Sequence, residues 1–292
     1  MWRYRDAIPA GAAALLCAGA ALGQEKGFYF YQRVEATANE LAWITRLEAT
    51  AGYNVNRYLG FEAGVPVYFV RPQPRIKAAP AVERADGLGN VRVTARLAVS
   101  TAAVDYFGAA TVTAPTGDED KGLSTGKVTW DWSSHFERSF GRITPFGAVG
   151  VANTITDTPF FVRPFSSQGL VTRLEGGVRV GLLRRLSAGA LLYTIQPSGE
   201  QTVISRLLRG GPAPPLAPAG RGRRRGVFEQ APRTVGPAEL VRERGGAVWI
   251  SAGPFGIVDF QLGYSRSAPY ALDSLFVGIG ANLGSLIRQR RL

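Results

Sequence analysis

The feature that most constrains this chain is the alternation of its connections. Segments with apolar residues at every second position are joined by links that switch between very short and long. The short links fall at 54–56, 101–103, 139–142, 183–185 and 254–256, and between them lie the long ones at 71–90, 116–125, 155–168, 197–245 and 266–272. A meander with this rhythm puts every tight turn at one end of a sheet and every long loop at the other. Transmembrane β-barrels of the outer-membrane type share that asymmetry, with short periplasmic turns and long extracellular loops. A soluble up-and-down barrel can share part of it.

The N-terminus supplies a compartment. Arg3 and Arg5 precede the apolar run 10–22, and Ala21-Leu22-Gly23 is a small-x-small cleavage site, the pattern of a secretory signal peptide over 1–23. The run is too short for a spanning helix, which needs about 20 residues. Cys17 is the single cysteine and falls inside this segment. The chain from 24 to 292 therefore holds no thiol for a disulfide or a cysteine-based metal site. No later apolar run reaches the length of a membrane helix, and 36 glycines and 18 prolines disfavour long helices. If 24–292 crosses a membrane, it does so as a closed barrel, the other structure that satisfies its backbone in lipid.

The formal net charge is +12, and half of it is local: the segment 206–244 carries nine arginines against three glutamates, a net of +6. Apart from Phe228 no aromatic interleaves with them, so a base-stacking platform for nucleic acid is not expected. Arg221, Arg223, Arg224 and Arg225 are the anion-binding candidates, suited to lipopolysaccharide phosphates through charge-assisted hydrogen bonds. For this Pro/Gly-rich loop the first expectation is no fixed structure, the second lipid-phosphate binding, and the third folding inward across a pore.

Period-2 patterning predicts twelve strands: 27–35, 41–53, 58–70, 91–100, 103–114, 127–137, 143–153, 170–182, 186–195, 247–253, 257–264 and 274–283. An even count closes a barrel with both termini on the periplasmic side. One face of these strands is apolar. The other collects Arg46, Glu48, Glu62, Arg92, Arg96, Asp131, His135, Glu137, Arg173, Glu175, Arg179 and Asp259, the lumen-lining candidates. Their signs nearly balance, so cross-strand ion pairs are expected whichever way the face points. In a soluble barrel this face turns outward and in a membrane barrel inward. Tyr53, Tyr58, Tyr68, Trp130, Tyr193, Trp249 and Tyr264 lie near strand ends, as interfacial girdles require.

Sharper motifs reduce to bland ones. Asp131, Ser133 and His135 share one face at steps of about 7 Å, conceivable as a Ser/His/Asp row. They lack a nucleophile elbow or an oxyanion element, and a polar row in the lumen is the better reading. Asp118, Glu119 and Asp120 offer carboxylates for calcium without the spacing of an EF-type loop, and a solvated hairpin is expected there. The sequence 122–127 falls one residue short of a phosphate loop, and Gly278-x-Gly280 lies within a strand rather than at a strand-to-helix turn. No cofactor, metal site or catalytic residue is expected.

Ala114-Pro115-Thr116-Gly117-Asp118, followed by Gly122-Leu123-Ser124-Thr125-Gly126-Lys127 and Trp130-Asp131-Trp132, resembles the outer-membrane β-barrel transporters of the "MetA-pathway of phenol degradation" family, and Gly64-Val65-Pro66-Val67-Tyr68 resembles its second hairpin. The resemblance implies a barrel that passes small molecules, hydrophobic or aromatic ones included, and brings no catalytic residue with it. The basic 197–245 segment and the Arg288 to Leu292 tail depart from that pattern. The expectation is a non-enzymatic passive pore in an outer membrane, partnered by membrane lipid, lipopolysaccharide, the barrel-assembly machinery and small solutes. The alternative is a non-conducting surface barrel whose basic loop binds lipopolysaccharide or another partner.

Overall fold

A computed structural model describes residues 26–73, 84–208 and 226–283. The predicted signal peptide and Arg221, Arg223, Arg224 and Arg225 lie outside them. Among these described residues fourteen strands form one antiparallel sheet: β1 (Gly27–Asn39), β2 (Ala42–Asn54), β3 (Leu59–Pro72), β4 (Ala85–Leu88), β5 (Arg92–Ser100), β6 (Asp105–Thr113), β7 (Thr129–Glu137), β8 (Ile143–Ala152), β9 (Phe165–Leu183), β10 (Leu186–Ser205), β11 (Arg233–Gly236), β12 (Glu243–Phe255), β13 (Val258–Ser267) and β14 (Leu272–Asn282). β14 pairs with β1 from Tyr31↔Asn282 to Asn39↔Ser274, which closes the sheet. β4 and β11 extend the lines of β5 and β12 along β3 and β10. The wall is therefore a closed twelve-strand barrel, as the periodicity predicts.

The side-chain alternation settles which face turns inward. Trp43, Phe61, Val93, Leu97, Val248, Leu262 and Leu275 are exposed on the outer wall, whereas Arg33, Glu35, Arg46, Glu62, Arg96 and Glu137 are buried inside. A barrel in water inverts this pattern, because exposing a continuous apolar belt costs roughly 25 cal/mol per Å². Only a hydrocarbon surround makes the outer face favourable. No helix among the described residues is long and apolar enough to cross a membrane.

The short links lie together at one end and the long links at the other, with two exceptions. The β13–β14 link, expected to be long over 266–272, spans only 268–271. β1 and β2 meet at the long-loop end through a two-residue turn, where Asn39 Oδ1 accepts the amides of Leu41 and Ala42 at 2.9 and 3.0 Å. Other boundaries also differ from expectation: β1 runs to Asn39, β12 covers Glu243–Phe255, and two further differences reshape the loop end. The 155–168 link ends early, because β9 begins at Phe165, and β10 runs on to Ser205, so 197–245 is not one loop. The sequence from Pro197 to Gly199 hides this extension. Proline lacks an amide and Gly199 has φ +70°, yet the strand resumes after an irregularity between Ser198 and Thr202.

The paired extensions of β9 and β10 stand above the barrel and carry an apolar cap. Ile44, Val70, Val162, Phe165, Leu207 and Phe228 are fully buried in it, and Phe165 stacks on Phe228 at 4.8 Å. Three aromatics expected in girdles sit on the inner side instead: Tyr68, Tyr193 and Trp249 are each bonded or packed within the barrel. Their parity along the strand places them there, and proximity to a strand end does not override parity.

Leu262→Arg on the outer wall is expected to cost about 2–4 kcal/mol in urea unfolding from lipid vesicles. The same change on a water-facing surface stays within about 0.5 kcal/mol, so a neutral result contradicts a lipid-facing wall.

Candidate functional site

The barrel interior is built from charge. Along one wall Arg33 Nη1 lies 3.8 Å from Asp259, and Arg33 Nε donates to Glu35 Oε1 at 2.6 Å. Arg46 bonds the second oxygen of Glu35 and lies 3.8 Å from Glu48. Arg92 donates to Glu48 at 2.6 Å and to Glu62 at 3.1 Å, and Arg96 Nε lies 3.1 Å from Glu62. Tyr29 donates its hydroxyl proton to Glu62 at 2.8 Å and accepts from Arg96. The result is a continuous ladder over β13, β1, β2, β3 and β5 with strictly alternating signs.

Glycine makes this ladder possible. Arg92 on β5 reaches Glu48 on β2 over Gly64 of β3, where a Cβ would stand 3.2 Å from both side chains. On β14, a Cβ at Gly278 would meet Arg33 Nη2 at 2.8 Å, and one at Gly280 would overlap the Tyr31 hydroxyl. Arg33 thereby crosses β14 to donate to Gln261 Oε1 at 2.8 Å, and Tyr31 crosses it to reach Asp259 at 3.3 Å. The Gly278-x-Gly280 pair is thus a gap for the polar side chains of Arg33 and Tyr31, not a nucleotide fingerprint.

The other wall holds the remaining candidates. Glu137 accepts from Arg179 at 3.4 Å and pairs with His135 Nε2 at 3.2 Å, and Arg173 Nε lies 3.3 Å from Glu175. His135 bonds Glu137 rather than Ser133 and lies between Phe107 and Phe146, with centroids 5.9 and 5.5 Å away. From Phe146 the aromatic contacts continue to Trp249, Phe160 and Phe276 at 6.4, 4.6 and 5.4 Å. A cavity of about 30 Å³ near the short-turn end, lined by Asn54, Arg96, Phe107, Ser133 and His135 among others, has room for one water.

Sequence reasoning missed the most consequential element. The β8–β9 connection, 153–164, folds into the barrel rather than away from it. Phe160 inserts between Trp249 and Phe276, its carbonyl accepts from Ser265 at 3.0 Å, and the Val162 amide donates to Thr37 at 3.1 Å. Two buried ion pairs fix the strap at its flanks. Arg163 donates to Glu243 at 3.1 and 3.2 Å, and Asp157 accepts from Arg206 at 2.9 Å and from Tyr68 at 2.9 Å. A run Pro159-Phe160-Phe161-Val162 within a loop was the available signal, since apolar residues in a solvated hairpin need burial somewhere.

The acidic hairpin is a docking element. Asp118 pairs with Lys121 at 3.2 Å, Glu119 accepts from Arg233 at 2.7 Å, and the Gly122 carbonyl accepts from Ser166 and Arg206 at 2.8 and 3.2 Å. Among the described residues no group of three or more His, Cys, Asp or Glu is placed to hold a metal.

No protein-family model and no curated protein matches the chain. Among solved structures, the COG4313 outer membrane channel from Pseudomonas putida F1 matches with a TM-score of 0.55 at 12% identity, over 89% of this chain and 96% of that one. The KdgM porin (TM-score 0.48, 6% identity, 86% of this chain and 98% of that one) and the NanC porin (0.47, 9%, 86% and 98%) overlay less closely. The fold is that of outer-membrane β-barrels.

Glu35→Ala leaves Arg33 and Arg46 short of their shared partner. Removing one member of a buried pair typically costs about 3–5 kcal/mol, and a loss of that size is expected in equilibrium unfolding, against a smaller loss for Glu35→Gln.

Proposed function

We propose that this chain is an outer-membrane pore for small solutes, exported through the 1–23 signal peptide and closed at rest by the 153–164 strap. The observation that carries this reading is the strap itself. A purely structural barrel needs no loop drawn into its interior by Phe160 and clamped there by Arg163–Glu243 and Arg206–Asp157. In the conducting state Phe160 leaves its aromatic pocket and solutes move along a lumen walled by the ladder. Each guanidinium on the ladder has a carboxylate beside it, so the wall orients polar groups without a strong preference for either sign.

The likeness of 114–132 to the phenol-degradation transporters supports small hydrophobic or aromatic compounds as cargo. The second reading, a non-conducting surface barrel, is favoured by the apolar cap over the loop end. In that reading the outer loops, Arg221 and Arg223 to Arg225 among them, bind lipopolysaccharide phosphate.

Planar-bilayer recording separates the two. Wild-type protein is expected to open rarely, and Phe160→Ala and Asp157→Asn to raise open time severalfold. Silence from all three proteins removes the pore reading.

Closure should also respond to acid. Burial by itself raises the Asp157 carboxyl, but the Arg206 and Arg46 charges and the Arg163 amide outweigh it and hold the group below the ordinary aspartate range. A depressed carboxylate stabilises the closed strap at every pH above its ordinary value of about 3.9, and that contribution is lost as pH falls through the lowered value. Conductance is therefore expected to stay low from neutral pH to about 4 and to rise only below it. A rise centred near pH 6 would assign the response to another group.

A further inference from the structure

The short-turn end carries arginines that neither the ladder nor the strap uses. Arg138 and Arg142 flank the β7–β8 turn, and Arg184 and Arg185 form the β9–β10 turn. Arg142, Arg184 and Arg185 are exposed, Arg138 is half-buried, and no carboxylate of the described residues pairs with any of the four. Backbone bonds hold them in one arc. The Arg142 carbonyl accepts the Gly181 amide at 2.8 Å, and the Arg185 carbonyl accepts the Gly253 amide at 2.8 Å, which ties the two turns to each other and to β12. With strands about 4.8 Å apart, the arc from β7 to β12 spans about 20 Å.

The surface beside this arc is apolar and outward-facing. Phe140 is 62% exposed and Leu183 71%, with Ile143, Leu182 and Phe255 exposed alongside. Arg138 lies over the Phe140 ring at 5.9 Å and Arg185 over Phe255 at 5.8 Å. These cations therefore stand at the height where the lipid-facing wall ends, with aromatic rings at the same level. That layering matches a leaflet boundary, with the apolar rings against the ends of the acyl chains and the cations at the phosphates. The Arg57 turn, across the barrel, has one arginine over Tyr58 and no second beside it.

We propose that Arg138, Arg142, Arg184 and Arg185 form a binding surface for the phosphodiester headgroups of anionic phospholipid in the leaflet on the short-turn side. Guanidinium suits this ligand because its planar fork gives two parallel hydrogen bonds to phosphate oxygens. Continuity with the lipid-facing wall selects a lipid over a dissolved anion, since Phe140 and Leu183 would meet acyl chains.

The test titrates purified full-length protein in detergent with phosphatidylglycerol, phosphatidylcholine and water-soluble glycerol 3-phosphate, and reads retained ligand by native mass spectrometry. Wild-type protein is expected to retain phosphatidylglycerol at least about tenfold better than phosphatidylcholine. The quadruple change Arg138→Ser, Arg142→Ser, Arg184→Ser and Arg185→Ser should abolish that preference, while Arg242→Ser with Arg244→Ser at the loop end should keep it. Heat-modifiable gel migration checks that each variant is folded. Should the quadruple variant not fold, the two pairs made separately should each lower the preference. Equal retention of both lipids, an unchanged preference in the folded variants, or equal competition by glycerol 3-phosphate overturns the proposal, the last by making the ligand a dissolved anion.

Discussion

Charge inside a closed wall has to be neutralised locally, and the rest of this barrel follows from that requirement. A guanidinium removed from water costs several kcal/mol unless a carboxylate and further hydrogen bonds replace its hydration. Twelve strands of alternating side chains place four arginines of β1, β2 and β5 on one inner wall, and the four carboxylates of Glu35, Glu48, Glu62 and Asp259 stand among them. Neighbouring strands alone do not bring every pair into contact. Inward glycines on β3 and β14 leave lanes across which Arg92 and Arg33 lie flat to reach the strand beyond. Composition at the uncharged positions is therefore as constrained as at the charged ones.

The two ends of the interior obey different physics. Toward the short turns the space is filled by hydrogen-bonded charge, and toward the loops by the apolar cap around Phe165 and Phe228. The 153–164 strap joins the two regimes. Its Phe161 and Val162 belong to the cap, while Asp157 and Arg163 draw on Arg206 and Glu243 in the polar layer beneath. Moving the strap must disturb both at once, which favours two discrete positions over a graded one.

Much of this was legible in the chain. Strand number, the end that carries the tight turns and the parity of the charged face follow from period-2 alternation, because a one-residue slip would turn every charge outward. Arg33 and Glu35 obey the same alternation, but they fall in an N-terminal segment whose aromatic start, Phe28 to Tyr31, hides it. The strap was legible only as an apolar run, Pro159 to Val162, that needs burial, and its direction was not. A loop's direction depends on partners far away in sequence: Thr37, Glu243 and Ser265 lie about 100 residues or more, or some 80, from the strap residues they hold. Nothing within 153–164 encodes them. The extension of β9 and β10 escaped for a related reason, since its residues are buried by a cap that exists only once β11 and the 3-10 turn Val227–Glu229 have docked.

The lanes across β14 bear on how the barrel comes to be closed. β14 is the last strand of the wall and β1 the first, so their pairing is the seam at which the circle is completed. Before that seam forms, Arg33 has Glu35 beside it but neither Asp259 nor Gln261, both of which lie on the far side of β14. Closure delivers all of these partners in one step, provided the register brings Gly278 and Gly280 under the crossing side chains. A seam shifted by one residue would point those glycines at the lipid and leave Arg33 opposite Ile279 or Ala281 instead. The ladder thus acts as a proofreading latch, rewarding the correct join between the two ends of the chain and penalising its nearest errors.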